Sequence, residues 1–498
     1  MRGLQLAVPA GRQPHYLRIA RAVRDALAAG RALPGEALPS LRELAAELGV
    51  HRNTVIAALE ELKAEGWIVG EERRALRVAA TLPADYFRAG PESGLAPAQA
   101  ARPHRWEWAR RVRLRPFAPS AGVRYNFESG IPDYSLFPLR EFRSHVADAL
   151  RRARPALLDY GDPRGLPSLL EALEDYLRRI RGVTGRRVLV TNGSQEGVFL
   201  AAQLLIRPGD AVAMEELTYP PAWETCRAAG ARIVGIGMDR EGIDADALDR
   251  AARSTRIRML FLTPLHQFPT TSTLSVARRL AVYEVASRHG IVIFEDDYDH
   301  EYHYRTEPLP PLATYDPDQR VVYASTLSKV LFPAARIGFL VVPPALEREL
   351  VQFRRIVSHQ NDPIVQDAIA RWFASGGLER HLRRMRRHYE ARRDAMVAAL
   401  ERARETVDLE WDTPDGGMAL WLDTRRDARR IARAARAAGI FAVHEGAYRF
   451  EPGPVRHLRL GFSSLAPERL TRGIDALVEV LRDDVGRRSR PPGRVAVP

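Results

Sequence analysis

Between residues 186 and 326 the chain repeats one rhythm, a short apolar run and then a longer amphipathic stretch. "RRVLVT" (186–191) precedes "SQEGVFLAAQLLI", and "DAVAME" (210–215) precedes "PPAWETCRAAG". "RMLFLT" (258–263), "GIVIFED" (290–296) and "RVVYAST" (320–326) continue the series. Apolar runs without polar alternation suit strands covered on both faces. Their alternation with helical patterns predicts an α/β domain with a mostly parallel sheet.

The rhythm stops on either side. Beyond about 344 the pattern turns helical, with "IVQDAIARWFASGGLERHLRRMRRHYEARRDAMVAALERA" as its spine. The reading is a large subdomain over about 125–345 and a smaller α+β subdomain over about 380–485. Residues 81–124 are rich in Pro, Arg and Ala with no sustained apolar period, which predicts a linker. Its "HRWEWARR" is expected to dock on a neighbouring domain, and 486–498 to be a frayed tail.

Residues 1–80 have a different character. "HYLRIARAVRDALAA" (15–29) has helical spacing. In "LPSLRELAAELGVHRNTVIAALEELKAEGWIV", Ser40 stands three residues before Glu43, a capping-box spacing. Gly49 ends that helix, and a second is expected from Arg52 to Glu65, followed by two strands around a charged turn. Two short helices joined by a Gly-containing turn form a helix-turn-helix pattern. Its second helix would present Arg52, Asn53 and Thr54 to base edges, with Arg42 and Thr54 near phosphates. The formal charge of +13 also fits a polyanionic partner.

Of 75 Lys plus Arg, only Lys63 and Lys329 are lysine. A deprotonated amine is a nucleophile and a guanidinium is not, so Lys329, just past the strand "RVVYAST", is a candidate for a Schiff base with an aldehyde. Pyridoxal 5′-phosphate needs such a lysine, an acid for its ring nitrogen, phosphate donors and a stacking ring. "IVIFEDDYDHEY" (291–302) carries an acid to the end of a buried strand, with Asp296 and Tyr298 sharing a face. Asp297, Asp299 and Glu301 read as a solvated acidic loop. Gly193, Ser194 and Gln195 open a helix after a strand, an anion-binding arrangement. Thr326, Ser328 and Arg336 are further phosphate candidates, and Tyr219 a stacking ring.

Over residues 1–80 the chain strongly resembles the winged helix of GntR-type regulators, with His51 where a small capping residue is usual. The later segments "DYGDPRG", "TNGSQEG", "TPLHQFPT", "EDDYDHEYHY", "STLSK…ARIGF" and "HLRLGFSS" resemble fold type I aminotransferases. Together they resemble the MocR subfamily, in which the two are fused. The resemblance implies Lys329 in the internal aldimine and Asp296 on the pyridinium nitrogen. It places Tyr298 at the ring hydroxyl and Tyr219 against the ring, with Ser194, Gln195, Thr326, Ser328 and Arg336 around the phosphate. It further implies Arg459 as a carboxylate clamp, Tyr160 reaching a dimer partner's phosphate, and His266 and Gln267 on the ring's oxygen side. Thr271 and Ser325 depart from the family's glycines, and a changed pocket shape is expected there.

The function implied is a DNA-binding transcription regulator that senses pyridoxal phosphate or an amino compound, as a head-to-tail homodimer on double-stranded DNA. The alternative is a working aminotransferase with an accessory DNA-binding domain. No metal site is expected. The single Cys226 fits a reducing compartment, and no apolar run reaches the ~18 residues of a membrane span, so a cytoplasmic protein is expected.

Overall fold

The computed structural model describes residues 6–70, 75–83, 122–128, 130–304 and 307–488. The expected linker beyond residue 83, its "HRWEWARR" segment, the turn of the wing at 71–74 and the tail from 489 lie outside the described residues. The chain divides into two compact units, one within residues 1–108 and the other within 109–498.

The first unit contains α1 (His15–Ala28), α2 (Leu41–Leu48) and α3 (Arg52–Ala64), then an antiparallel pair of β1 (Ile68–Val69) and β2 (Arg77–Val78). Both halves of the expected capping box form. Ser40 Oγ accepts from Glu43 N–H at 3.3 Å, and a Glu43 carboxylate oxygen accepts from Ser40 N–H at 2.7 Å. Gly49 closes α2 in the left-handed conformation at φ 61°. Leu44, Val55, Leu59 and Leu62 point inward with Ile19, Val23, Leu27 and Trp67, giving this unit its own core. α3 starts cleanly, because the His51 ring accepts from Asn53 N–H at 3.3 Å and does the work of a small capping residue.

The second unit begins with β3 (Tyr125–Asn126) and is built on a seven-stranded sheet. Its strands are β4 (Arg187–Thr191), β5 (Ala211–Glu215), β6 (Arg232–Ile236), β9 (Ile257–Leu262), β10 (Val292–Asp297), β11 (Val321–Thr326) and β12 (Gly338–Val342). A short hairpin of β7 (Met238–Asp239) and β8 (Gly242–Ile243) lies off the sheet. The order is β4-β12-β11-β10-β9-β5-β6, with only β12 running antiparallel to its neighbours. Two hydrophobic clusters account for its strand residues: Val190, Leu260 and Ile293 belong to one, Leu189, Phe261 and Phe294 to the other. That two-sided burial is why these runs lack polar alternation.

The smaller sheet is β13 (Ala419–Asp423), β16 (His457–Gly461) and β15 (Val443–His444), with the helix Ala428–Ala437 against β15 and β16, while the helices Gly377–Ala403 and Pro467–Arg488 pack on each other. β14 (Ile440–Phe441) pairs in parallel with β3. The chain at 125 therefore enters through the small subdomain rather than the large one, contrary to the expected division. Phe127 extends this docking, donating its N–H to Phe441 O and accepting from Gly461 N–H.

Candidate functional site

β10 and β11 run parallel, with Asp296 beside Ala324 and Asp297 beside Ser325. Their C-terminal ends lie at the edge where open α/β sheets bind ligands. Lys329 follows three residues after β11. Its Nζ donates to Gly130 O at 2.8 Å. Burial pushes the Lys329 amine below its usual range, with the charge of Asp299 the largest opposing influence, ahead of Asp296 and Glu128.

Asp296 is 4 % exposed, and its Oδ1 has no hydrogen-bond partner among the described residues. Burial first, and the neighbouring Asp297 second, raise its carboxyl from 3.8 to about 7. A buried carboxylate oxygen without a donor is destabilising. A ligand N–H that kept its positive charge would satisfy it. Tyr219 lies where the charges of both Asp296 and Arg336 act on its hydroxyl, and burial pushes it up to about 12. Its ring meets Phe268 edge-on at 5.5 Å.

The anion side is built from a turn. Gly193 at φ 77° precedes the helix Ser194–Leu205, whose first N–H groups face outward from the sheet end. A Cβ on Gly193 would come 3.1 Å from the Arg336 guanidinium, and one on Gly338 would come 2.6 Å from the Gly193 backbone carbon. Arg336 donates to Asn192 O. Thr326 Oγ1 donates to Ser328 Oγ at 2.9 Å. Gln195 turns its amide N–H to Thr225 Oγ1 at 2.8 Å, and its carbonyl oxygen is buried with no hydrogen-bond partner among the described residues.

Arg459 is 1 % exposed. It donates to Pro269 O and, at 3.4 Å, to Tyr298 OH, and its guanidinium carbon stands 4.3 Å from the Phe268 ring centre. Tyr298 thus sits between Arg459 and the charges of Asp296 and Asp299, with its hydroxyl raised by burial. Tyr160 is 81 % exposed, at the surface of this chain, with its ring against His359.

One sequence expectation changes. Asp297, Asp299 and Glu301 are not a solvated loop; all three are buried. Arg181, also buried, donates to Glu301 and to the Tyr323 hydroxyl, and Asp297 accepts from Tyr323 OH and from the His300 ring, each at 2.7 Å. Burial opposes the Asp297 charge, but His300, Arg181 and Tyr323 hold its carboxyl well below the usual range. Ser325 stands near the end of β11. Its hydroxyl donates to Asp297 O at 2.7 Å and accepts from Arg181 at 2.9 Å, joining this network. Thr271 takes the left-handed conformation that favours glycine, at φ 66°, a strained setting for a threonine.

Gln267 is committed to that turn: its amide N–H groups donate to Leu217 O and Phe268 O, and its carbonyl accepts from Thr270. His266 bonds Asp299 Oδ1 at 2.7 Å through Nδ1, which must be the donor because a carboxylate can only accept. Sequence reasoning passed over Glu128 and Arg181, and set Asp299 aside as a solvent-facing acid. Only Asp299 carried a signal, lying in the same acidic segment as Asp296.

In the first unit Arg42 is exposed on α2, and at the start of α3 His51, Arg52 and Asn53 are exposed and Thr54 is half-buried.

Residues 15–78 match the gntR family of bacterial regulatory proteins, and residues 125–477 match the aminotransferase class I and II family. The chain is 32% identical over 472 residues to the probable rhizopine catabolism regulatory protein MocR of Rhizobium meliloti, covering 93% of each chain. It is 31% identical over 493 residues to the HTH-type transcriptional regulator TauR of Rhodobacter capsulatus, covering 95% of this chain and 98% of the other. Among solved structures it resembles the kynurenine aminotransferase of Pyrococcus horikoshii (TM-score 0.69, 26% identity, 73% of this chain and 92% of that one). It also resembles LysN, the alpha-aminoadipate aminotransferase of Thermus thermophilus (TM-score 0.68, 27% identity, 74% and 94%).

Proposed function

The chain belongs to the MocR-type regulators, a GntR DNA-binding domain joined to a fold type I, pyridoxal phosphate-binding aminotransferase domain, and on that premise we propose that it regulates transcription by sensing that cofactor or an amine at Lys329. The observation that carries this reading is Lys329, just past the end of β11, acting by charge on Asp296 at the end of adjacent β10, whose buried Oδ1 has no hydrogen-bond partner among the described residues. When bound, pyridoxal phosphate supplies an aldehyde for an amine and a ring that draws electrons.

The residues present fit that group. Asp296 would hold the ring nitrogen's proton, and the demand of its own buried charge favours doing so. Gly193, Ser194, Thr326, Ser328 and Arg336 would hold the phosphate, and Tyr219 would cover one face. Tyr298 and Arg459, joined by a hydrogen bond, would face the substituents on the oxygen side. His266 reaches this side through Asp299, and Gln195 and Gln267 shape the walls. Tyr160, exposed on one chain, would complete the phosphate site of a partner in a head-to-tail homodimer. Arg42, His51, Arg52, Asn53 and Thr54 would contact DNA, with His51 capping α3 as it does so. The DNA-binding domain would occupy 1–80 and the linker 81–124, with the helix Pro467–Arg488 running through the expected start of the tail at 486, in a protein working in the cytoplasm.

A sensor needs no turnover. It needs a ligand whose affinity differs between two arrangements of the chain. The second reading, a working aminotransferase, is favoured by the same intact pocket. It predicts that pyridoxamine phosphate and a keto acid accumulate over many turnovers when the protein is mixed with amines.

The test uses the full chain. Wild type saturated with cofactor should be yellow, and after borohydride reduction and digestion the cofactor should map to Lys329. Lys329→Arg should be colourless with its fold retained. Arg52→Ala should weaken binding to the protein's own upstream DNA at matched salt without bleaching the cofactor. A colourless wild type, or a reduced product on another residue, ends the reading.

A further inference from the structure

Glu128 lies beside Lys329 in a position the family resemblance does not assign. The local chain fixes it there. Phe127 is fully buried, its ring directed at Gly473, where a Cβ would come 2.7 Å from the ring. In extended chain the next side chain points the other way, so Glu128 is turned from the small subdomain's core toward the pocket. Its N–H donates to Asn126 Oδ1 at 2.9 Å. Two residues on, Gly130 O accepts from Lys329 Nζ. On the other flank Gly461, which bonds Phe127 O, lies two residues past Arg459 on β16.

Glu128 is half-buried and its carboxyl is raised, first by burial, with Lys329 the cation that acts against this. Although the chain has 75 Lys plus Arg, Glu128 forms no ion pair with any of them among the described residues. Deeper in the pocket Asp299 is 1 % exposed. Its Oδ1 is taken by His266, and its Oδ2 has no hydrogen-bond partner among the described residues. The charges of Asp299 and Glu128 both act on Lys329. With the Lys329 amine committed to the cofactor, Glu128 would lose its cation. Arg459 already has neighbours in Pro269 O, Tyr298 OH and the Phe268 ring. The pocket is therefore short of positive charge at its Glu128 side.

We propose that the amine effector of this pocket carries a second cationic group, as a diamine or an ω-amino amino acid does, and that Glu128 reads it. This rests on the reading of the pocket as an amine sensor. The cofactor's aldehyde carbon would take one nitrogen in exchange for that of Lys329, which leaves as the neutral amine its burial favours, and the half-buried carboxylate would accept a charge-assisted hydrogen bond from the other nitrogen. A neutral side chain would leave Glu128 unpaired, and an acidic one would meet it with like charge, so selectivity has a repulsive component too.

The experiment titrates the full-length, cofactor-loaded protein with L-ornithine, L-norvaline and L-glutamate, and with 1,4-diaminobutane and 1-aminobutane. Binding is read as the change in cofactor absorbance and as the shift in affinity for the upstream DNA. Ornithine should bind about tenfold or more tighter than norvaline, the ratio one charge-assisted hydrogen bond supplies, with glutamate weakest. Glu128→Gln should bring ornithine down to the norvaline value. Equal binding of ornithine and norvaline, or a preference that survives Glu128→Gln, overturns the inference while leaving the sensor reading standing. If no amine perturbs the absorbance, the amine branch of the sensor reading fails and this inference falls with it, leaving the cofactor itself as the ligand sensed. Should Glu128→Gln lose cofactor, the two wild-type ratios, ornithine to norvaline and 1,4-diaminobutane to 1-aminobutane, decide alone.

Discussion

Asp296→Asn should stabilise the cofactor-free protein and at the same time weaken its hold on the cofactor. The wild-type carboxyl is buried, has one oxygen without a donor, and is raised from 3.8 to about 7 by burial and by Asp297. The sign follows from linkage. An acid raised in the folded state is ionised more readily in the unfolded chain, so it destabilises the fold once the unfolded carboxyl ionises. Below about pH 4 both states are protonated and the effect vanishes. Between there and about pH 7 it grows by about 1.4 kcal/mol per pH unit, then levels off.

The ceiling is thus about 4 kcal/mol at pH 8, and about 2 kcal/mol at pH 5.5. Asparagine, neutral and nearly isosteric, removes it. In a unit of this size (residues 109–498), 4 kcal/mol corresponds to a rise in Tm of about 5 °C, from an unfolding entropy of about 2 cal/mol/K per residue. Full-length wild type and Asp296→Asn, both stripped of cofactor, would be melted at about pH 5.5 and about pH 8, following the larger unit. The difference in Tm should favour the variant and widen toward pH 8. In a parallel dialysis after reloading, the variant should lose cofactor absorbance faster, because a neutral amide cannot keep a ring nitrogen protonated. A variant no more stable than wild type at pH 8 would refute the account of Asp296 as a buried acid awaiting a partner.

The other expectations are simpler. Arg181→Met should destabilise the larger unit by about 3–5 kcal/mol, because Glu301 and Asp297 would remain buried without their guanidinium; chemical denaturation measures this. Gly338→Ala should lower cofactor affinity, since its Cβ would press on the Gly193 backbone and displace the anion turn; retention of absorbance on gel filtration tests it, and wild-type retention counts against that turn as the phosphate site. Ser40→Ala should cost the winged-helix unit about 1 kcal/mol by breaking the capping box at the start of α2. Its melting transition should drop while that of the cofactor unit stays unchanged.

Much of this was legible in the residue order because the relevant physics is local. Strand runs such as "IVIF" are apolar on every residue, and two covered faces are the circumstance in which that is favourable. Ser40 and Glu43 meet within one helical turn, and Gly49 ends that turn whatever surrounds it. Lys329 stood out because a nucleophilic amine is rare among so many guanidinium groups, and Asp296 because it closes an apolar strand.

The fate of the neighbouring acids was decided elsewhere. Whether Asp297, Asp299 and Glu301 meet water or the interior depends on Arg181, which bonds Glu301 across 120 residues of chain, and on His266 and His300. No local period encodes such a partner, and without one the same residues would be most stable in solvent. The entry of residues 125–127 into the small subdomain is likewise a matter of sheet pairing between β3 and β14, and pairing of distant strands leaves no mark in either one alone. It is that pairing, by burying Phe127, that turns Glu128 toward Lys329. The sequence by itself determined the two kinds of domain and the reactive amine. The tertiary structure determined the charges around that amine, because burial and electrostatics are set by neighbours in space.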